Sequence, residues 1–136
     1  MEYRFDVQLL GSRLILAAEW LRRRSTQLIG YYGASTGASA ALIAAAEKPE
    51  LVTAIVSRGG RPDLAGPSLP RVEAPTLLLV GGLDYEVIDL NRLAQKQMRA
   101  TTELKIVNGA THLFEERGKI EEVAKLSIEW FKKYLK

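Results

Sequence analysis

Apolar and polar positions alternate in two rhythms along this chain. Over residues 6–24, Leu10, Leu14, Ala17, Ala18 and Leu21 recur at three- and four-residue steps, with arginines and a glutamate between them. That spacing predicts an amphipathic helix facing inward on those side chains. Asp6 stands where an N-cap is expected, and Gly11 weakens the helix slightly. A short apolar run over 27–32 predicts a strand. Thr36–Glu47 then carries Ala and Leu on nearly every face, as a buried helix does, and Lys48-Pro49-Glu50 stops it. Residues 51–57 read as a second strand. Residues 58–67 are a loop by their glycines and prolines, with a minor helix or none. Ala74-Pro75 leads into a third strand, 76–80, which is continuously apolar. Such runs belong to parallel sheets covered on both faces. Gly81-Gly82-Leu83-Asp84 is a turn, and 87–98 a helix with Val87, Leu90, Leu93 and Ala94 on one face. Thr102–Val107 is a fourth strand. Residues 108–112 form a loop, and 117–135 a final helix with Ile120, Val123, Ala124, Ile128, Phe131 and Leu135 inward.

Helices and strands therefore alternate throughout. The pattern specifies an α/β fold, a parallel sheet of about four strands with right-handed crossovers and helices on both faces. At 136 residues the chain reads as a single domain spanning 1–136. Hydrophobic content of 47% and charged content of 26% fit a soluble globular protein. The absence of cysteine excludes disulfides, thiolate metal sites and a cysteine nucleophile. No cofactor or metal is expected. Residues 1–6 lack the apolar core of a signal peptide, and no run approaches a membrane span, so a cytoplasmic location without membrane partners is expected. The net charge of +3 is mild. Arg22-Arg23-Arg24 falls where a helix ends, and cations there complement the helix dipole, so nucleic-acid binding is not expected.

In α/β sheets of this kind, sites form beyond the C-terminal strand ends. Three polar side chains fall there. Ser35 follows the first strand, Asp84 the third and His112 the fourth. Ser35 lies within Gly33-x-Ser35-x-Gly37, the pattern of a sharp strand-to-helix turn that presents a nucleophile. Positions two before and two after such a serine approach neighbouring backbone, which predicts that both glycines are needed. The helix start beneath the hydroxyl offers N–H groups and a dipole to a developing oxyanion. A serine hydroxyl needs a base to take its proton, and a neutral imidazole does so near pH 7. A carboxylate then orients the ring and stabilises its charged form. By itself the glycine pattern would fit a strand-to-helix turn of any α/β protein, and Asp84 and His112 give it its weight. His112 is the sole histidine. Glu86, and less well Asp63, are substitutes for Asp84 as the acid. Ser39 reads as a packing residue. Tyr32, Tyr85 and Leu113 are candidate substrate-pocket residues. Arg58 and Arg61 could face an acidic substrate group, although a solvated loop is the simpler reading. A dinucleotide site is disfavoured because the turn lacks G-x-G-x-x-G.

These residues resemble the α/β-hydrolase superfamily and, within it, the dienelactone-hydrolase-like branch. Gly33-Ala34-Ser35-Thr36-Gly37-Ala38, the run from Val56 to Ala65, and Gly109-Ala110-Thr111-His112-Leu113-Phe114-Glu115-Glu116 are similar to bacterial members, some of which are fused to phosphoribosyltransferase domains. The resemblance runs from about Asp6 to the C-terminus. It implies Ser35 as nucleophile, Asp84 as acid and His112 as base. Dienelactone hydrolases proper use cysteine, so serine here implies hydrolysis of small carboxylic esters through an acyl-enzyme.

The resemblance also implies a departure. The family's sheet has eight strands, with the nucleophile after the fifth, whereas here the nucleophile follows the first of four. The loop that supplies the second oxyanion donor has no counterpart, which leaves the Thr36 N–H. The strand over 27–32 becomes an edge, and a bare apolar edge invites pairing. Two copies pairing antiparallel through 27–32 would make one eight-stranded sheet, so a homodimer is expected. A separate chain carrying the missing strands is the other solution. The competing functional reading is a catalytically incomplete remnant that serves as an interaction or structural module.

Overall fold

The computed structural model describes residues 6–136. Four helices and four strands alternate: α1 (Val7–Arg24), β1 (Gly30–Ala34), α2 (Thr36–Glu47), β2 (Ala54–Arg58), β3 (Thr76–Gly81), α3 (Tyr85–Gln97), β4 (Thr102–Val107) and α4 (Lys119–Tyr134). The strands form one parallel sheet in the order β1-β2-β3-β4. Short 3-10 turns occupy Pro49–Leu51 and Pro62–Arg71, the latter kinked at Gly66.

The two faces of the sheet carry separate cores, because successive strand residues point to opposite sides. Ile55 of β2 faces a core built with Val7, Ile15 and Ala18 of α1, the alanine-rich α2, and Ala94 of α3. Its neighbours Ala54 and Val56 face the other core, with Leu77, Leu79, Val107, Val123 and Trp130. Every residue of β3 is buried, as its unbroken apolar run requires. α2 buries nine residues between α1 and the sheet.

The elements stand where the sequence puts them, with shifts that have local causes. The first strand runs Gly30–Ala34 rather than 27–32. Its partner begins only at Ala54, after the Pro49–Leu51 turn, so Gly30 is the first residue in register. The inward faces of three helices also differ from expectation. In α1 the buried stripe is Val7, Gly11, Ile15 and Ala18. Leu10 and Leu21 are 41% and 45% exposed, and Ala17 is exposed with them. Gly11 decides this: a Cβ there would lie 3.3 Å from the Ala40 carbonyl, so α1 sits closest to α2 at its smallest residue. In α4, Val123, Ser127 and Trp130 are buried, whereas Ile120, Ala124 and Ile128 are exposed. In α3 the buried stripe is Ile88, Asn91 and Ala94, and Leu93 faces out.

The two sheet edges are unlike. β4 carries Glu103 and Lys105, charges that discourage edge pairing. β1 carries none, and exposes Tyr32 with Leu28 just before it. Among the described residues, no helix is long and apolar enough to cross a membrane.

Candidate active site

Ser35 stands between β1 and α2, with φ 51° and ψ −123°. A non-glycine residue rarely adopts positive φ, at a cost of about 1–3 kcal/mol. The surroundings impose it. The Ser35 N–H donates to the Arg58 carbonyl at 3.2 Å, and the Ser35 carbonyl accepts from the Ala38 and Arg61 N–H groups, each at 3.2 Å. Gly33 makes room for the turn, since a Cβ there would lie 2.6 Å from the Gly37 carbonyl and 2.7 Å from Ala38. The second glycine of the pattern is different. Among the described residues nothing lies within 4 Å of a Cβ on Gly37, so packing there requires only the first.

A serine at a helix start ordinarily caps the helix with its side chain. Ser35 makes no such bond. Its Oγ lies instead 3.0 Å from His112 Nε2. Asp84, which precedes α3, likewise leaves that helix uncapped, and its Oδ2 lies 2.7 Å from His112 Nδ1. An ionised carboxylate can only accept, so Nδ1–H donates to it, which leaves Nε2 of a neutral ring free to accept from the serine hydroxyl. The Asp84 side chain is 16% exposed and that of His112 40%. The Thr36 N–H, at the first position of α2, is among the amides that have no partner within the helix.

The loops that bring Asp84 and His112 together interlock. The Leu83 N–H donates to the Ala110 carbonyl at 3.0 Å, and the Gly82 N–H to the Val107 carbonyl at 2.8 Å. A Cβ on Gly81 would collide with the carbonyls of Ala110 and Thr111. The histidine loop turns on Gly109 at φ 79° and on Phe114 at φ 58°, the latter buried. The Glu116 carboxylate closes it, accepting from the Thr111 N–H at 3.0 Å and the Thr111 hydroxyl at 2.6 Å. These bonds hold the Glu116 carboxyl below the ordinary glutamate range, with the Thr111 hydroxyl as the larger cause.

The remaining candidates are placed as follows. Glu86 is exposed on α3. Asp63 is engaged by Arg61 through two bonds of 3.0 and 2.9 Å, which raise the Arg61 guanidinium further. Arg58 lies over the Phe114 ring at 5.7 Å. Ser39 is fully buried and donates to the Thr36 carbonyl at 2.7 Å, a packing role. Tyr32, Tyr85 and Leu113 are 50%, 68% and 58% exposed. A depression of about 440 Å³ lies at the far end of β1, between Thr26–Leu28 and the chain end at Leu135, away from Ser35. The contributions of Gly81 and Glu116 are missed by sequence reasoning, in which Gly81-Gly82 reads simply as a turn.

The sequence profile of the dienelactone hydrolase family matches residues 6–135. The chain belongs to the dienelactone hydrolase family. A dienelactone hydrolase from Anabaena variabilis is 54% identical, with a TM-score of 0.94, over 97% of this chain and 62% of that one. A Mycobacterium tuberculosis protein named as a phosphoribosyl transferase is 55% identical over 130 residues. These cover 93% of this chain but 29% of that protein, so the present chain spans under a third of its curated relative's length. A monoacylglycerol lipase from Paleococcus ferrophilus, 16% identical over 91% of this chain and 74% of that one, has a TM-score of 0.74 and shares the fold.

Within this member of the dienelactone hydrolase family, the Glu116–Thr111 tether makes a testable prediction. A carboxyl whose folded pKa is depressed contributes above its unfolded pKa and loses that contribution as pH falls through the folded value. The Thr111 amide, followed by NMR during acidification, should therefore stay tethered below the ordinary glutamate range and release only at still lower pH. Release at or above the ordinary glutamate range would contradict the tether.

Proposed function

We propose that this chain carries the catalytic centre of a serine hydrolase acting on small carboxylic esters. The carrying observation is the continuous line from Ser35 Oγ to His112 Nε2 and from His112 Nδ1 to Asp84 Oδ2. His112 takes the Ser35 proton as Oγ attacks the ester carbonyl carbon. The carbonyl oxygen becomes an oxyanion beside the Thr36 N–H and the start of α2. Collapse breaks the bond to the leaving alkoxide, which receives the proton from His112. A water, deprotonated by the same imidazole, then attacks the acyl-Ser35 ester; the bond from the acyl carbon to Oγ breaks, Oγ takes the proton back from His112, and the carboxylic acid leaves. Asp84 keeps the ring oriented and offsets its charge in both halves. Tyr32, Tyr85 and Leu113 flank the three site residues in sequence and are the side chains we assign to substrate contact.

Family membership supports the hydrolase reading. The transferase name belongs to relatives of which this chain spans 29%, and nothing in the Ser35 geometry favours transfer to a phosphoribosyl acceptor. The remnant reading draws on one specific observation: the Thr36 N–H is the single oxyanion donor with an evident role. A missing donor costs about 100- to 1,000-fold in rate, which leaves a slow but measurable enzyme.

A fluorophosphonate probe should label the wild-type protein, and Ser35→Ala should abolish the label. No labelling at any protein concentration would favour the remnant. We further propose that the uncharged β1 edge is covered by a second copy, paired antiparallel about a two-fold axis. Sedimentation equilibrium should then give twice the chain mass. A monodisperse monomer would overturn the dimer and point to a separate strand-bearing segment as the cover.

A further inference from the structure

The proposed nucleophile and base are held by four consecutive residues, Arg58 to Arg61, that the mechanism does not use. Arg58 accepts from the Ser35 N–H, and the Arg61 N–H donates to the Ser35 carbonyl. Between them the Gly59 N–H donates to the Leu79 carbonyl of β3 at 2.7 Å. Gly59, at φ 55°, backs His112 so closely that a Cβ would lie 3.2 Å from the His112 carbonyl and 3.4 Å from its ring carbon Cε1. This bridge grips the strained Ser35 backbone on one side and buttresses the imidazole on the other.

One side chain anchors the bridge from outside. Asn91, in the middle of α3, is fully buried, and its Nδ2 donates to the Gly60 carbonyl at 3.1 Å and to the Val87 carbonyl at 2.7 Å. Its Oδ1 is buried with no hydrogen-bond partner among the described residues. For the fold alone this is a poor choice of residue. Asparagine is a weak helix former, and an unpaired buried amide oxygen is destabilising where an apolar side chain would pack without loss. What asparagine supplies and leucine cannot is the pair of N–H donors, one of which reaches the bridge. The helix that carries it begins beside Asp84. Asn91 thus ties the acid's helix to the segment that grips the nucleophile and backs the base.

We propose that Asn91 is a positioning residue of the catalytic centre. Through Gly60 it fixes the Arg58–Arg61 bridge, and through the bridge it fixes the Ser35 backbone and the His112 ring. It touches neither substrate nor reacting atoms. This inference rests on the hydrolase reading for its catalytic consequence, but not for its structural one.

The test separates the two. In Asn91→Leu both donors are lost. In Asn91→Ser the hydroxyl can still bond Val87, one turn back on its own helix, but is too short to reach Gly60, so this milder variant retains the helix. Amide hydrogen exchange would be followed at Ser35 and Arg61, with Val80 in the buried centre of the sheet as the reference for global opening. Both variants should speed exchange at Ser35 and Arg61 about tenfold beyond any change at Val80, the scale of one net hydrogen bond. Fluorophosphonate labelling per folded molecule should slow by about the same factor. Exchange at Ser35 and Arg61 that changes only in step with Val80 would overturn the proposal and leave Asn91 a purely structural residue. If the wild type takes no label, the hydrolase reading fails, and the exchange measurement still decides whether Asn91 holds the bridge.

Discussion

Ser35 sits in a backbone conformation that its own side chain disfavours, and the remainder of the site depends on keeping it there. The parallel register places Ala34 of β1 beside Arg58 of β2. The next N–H therefore meets the Arg58 carbonyl, and the chain beyond Arg58 doubles back so that the Arg61 N–H meets the Ser35 carbonyl. A residue clamped at both ends of its peptide cannot relax into the helix that follows it. Its hydroxyl, diverted from capping that helix, is presented to His112. Asp84 repeats the logic on the third strand, leaving its helix uncapped and bonding the imidazole. Two helix starts without a side-chain cap are the local cost of this arrangement.

The sheet is finished on one side and open on the other. β4 ends it with charged residues suited to solvent. β1, which the serine follows, has no strand beyond it among the described residues and no charge along it. His112 and Asp84 arrive from the finished side, through loops that interlock at Gly81 and Ala110. The open side is where a substrate wall and a second oxyanion donor would have to come from. The polar line is thus assembled beside an apolar edge, the edge on which the proposed second copy would sit.

Much of this was legible in the sequence, for physical reasons that also mark the limits. The strands and α2 could be read because buried parallel strands and a helix covered on all faces leave unbroken apolar runs. Ser35, Asp84 and His112 could be placed because each lies in the segment that follows a strand of the same parallel sheet, and the structure brings all three together. The inward faces of α1 and α4 could not be read, because both helices carry apolar residues on two sides. Closest approach then selects small residues such as Gly11 and Ser127, which hydrophobicity does not score. Asn91 was invisible for the opposite reason: a polar residue in the buried stripe of α3 breaks the pattern used to find that stripe. Gly37 is a motif position where, among the described residues, no close approach calls for a glycine.

The central claim is that His112, oriented by Asp84, lets Ser35 form an acyl-enzyme. Its most direct test is intact-mass spectrometry after acid quench of the protein mixed with a small activated ester. The account predicts a mass increase of one acyl group, located by fragmentation at Ser35 and lost in His112→Ala. Acylation that is absent from Ser35, or that persists undiminished without His112, would contradict it.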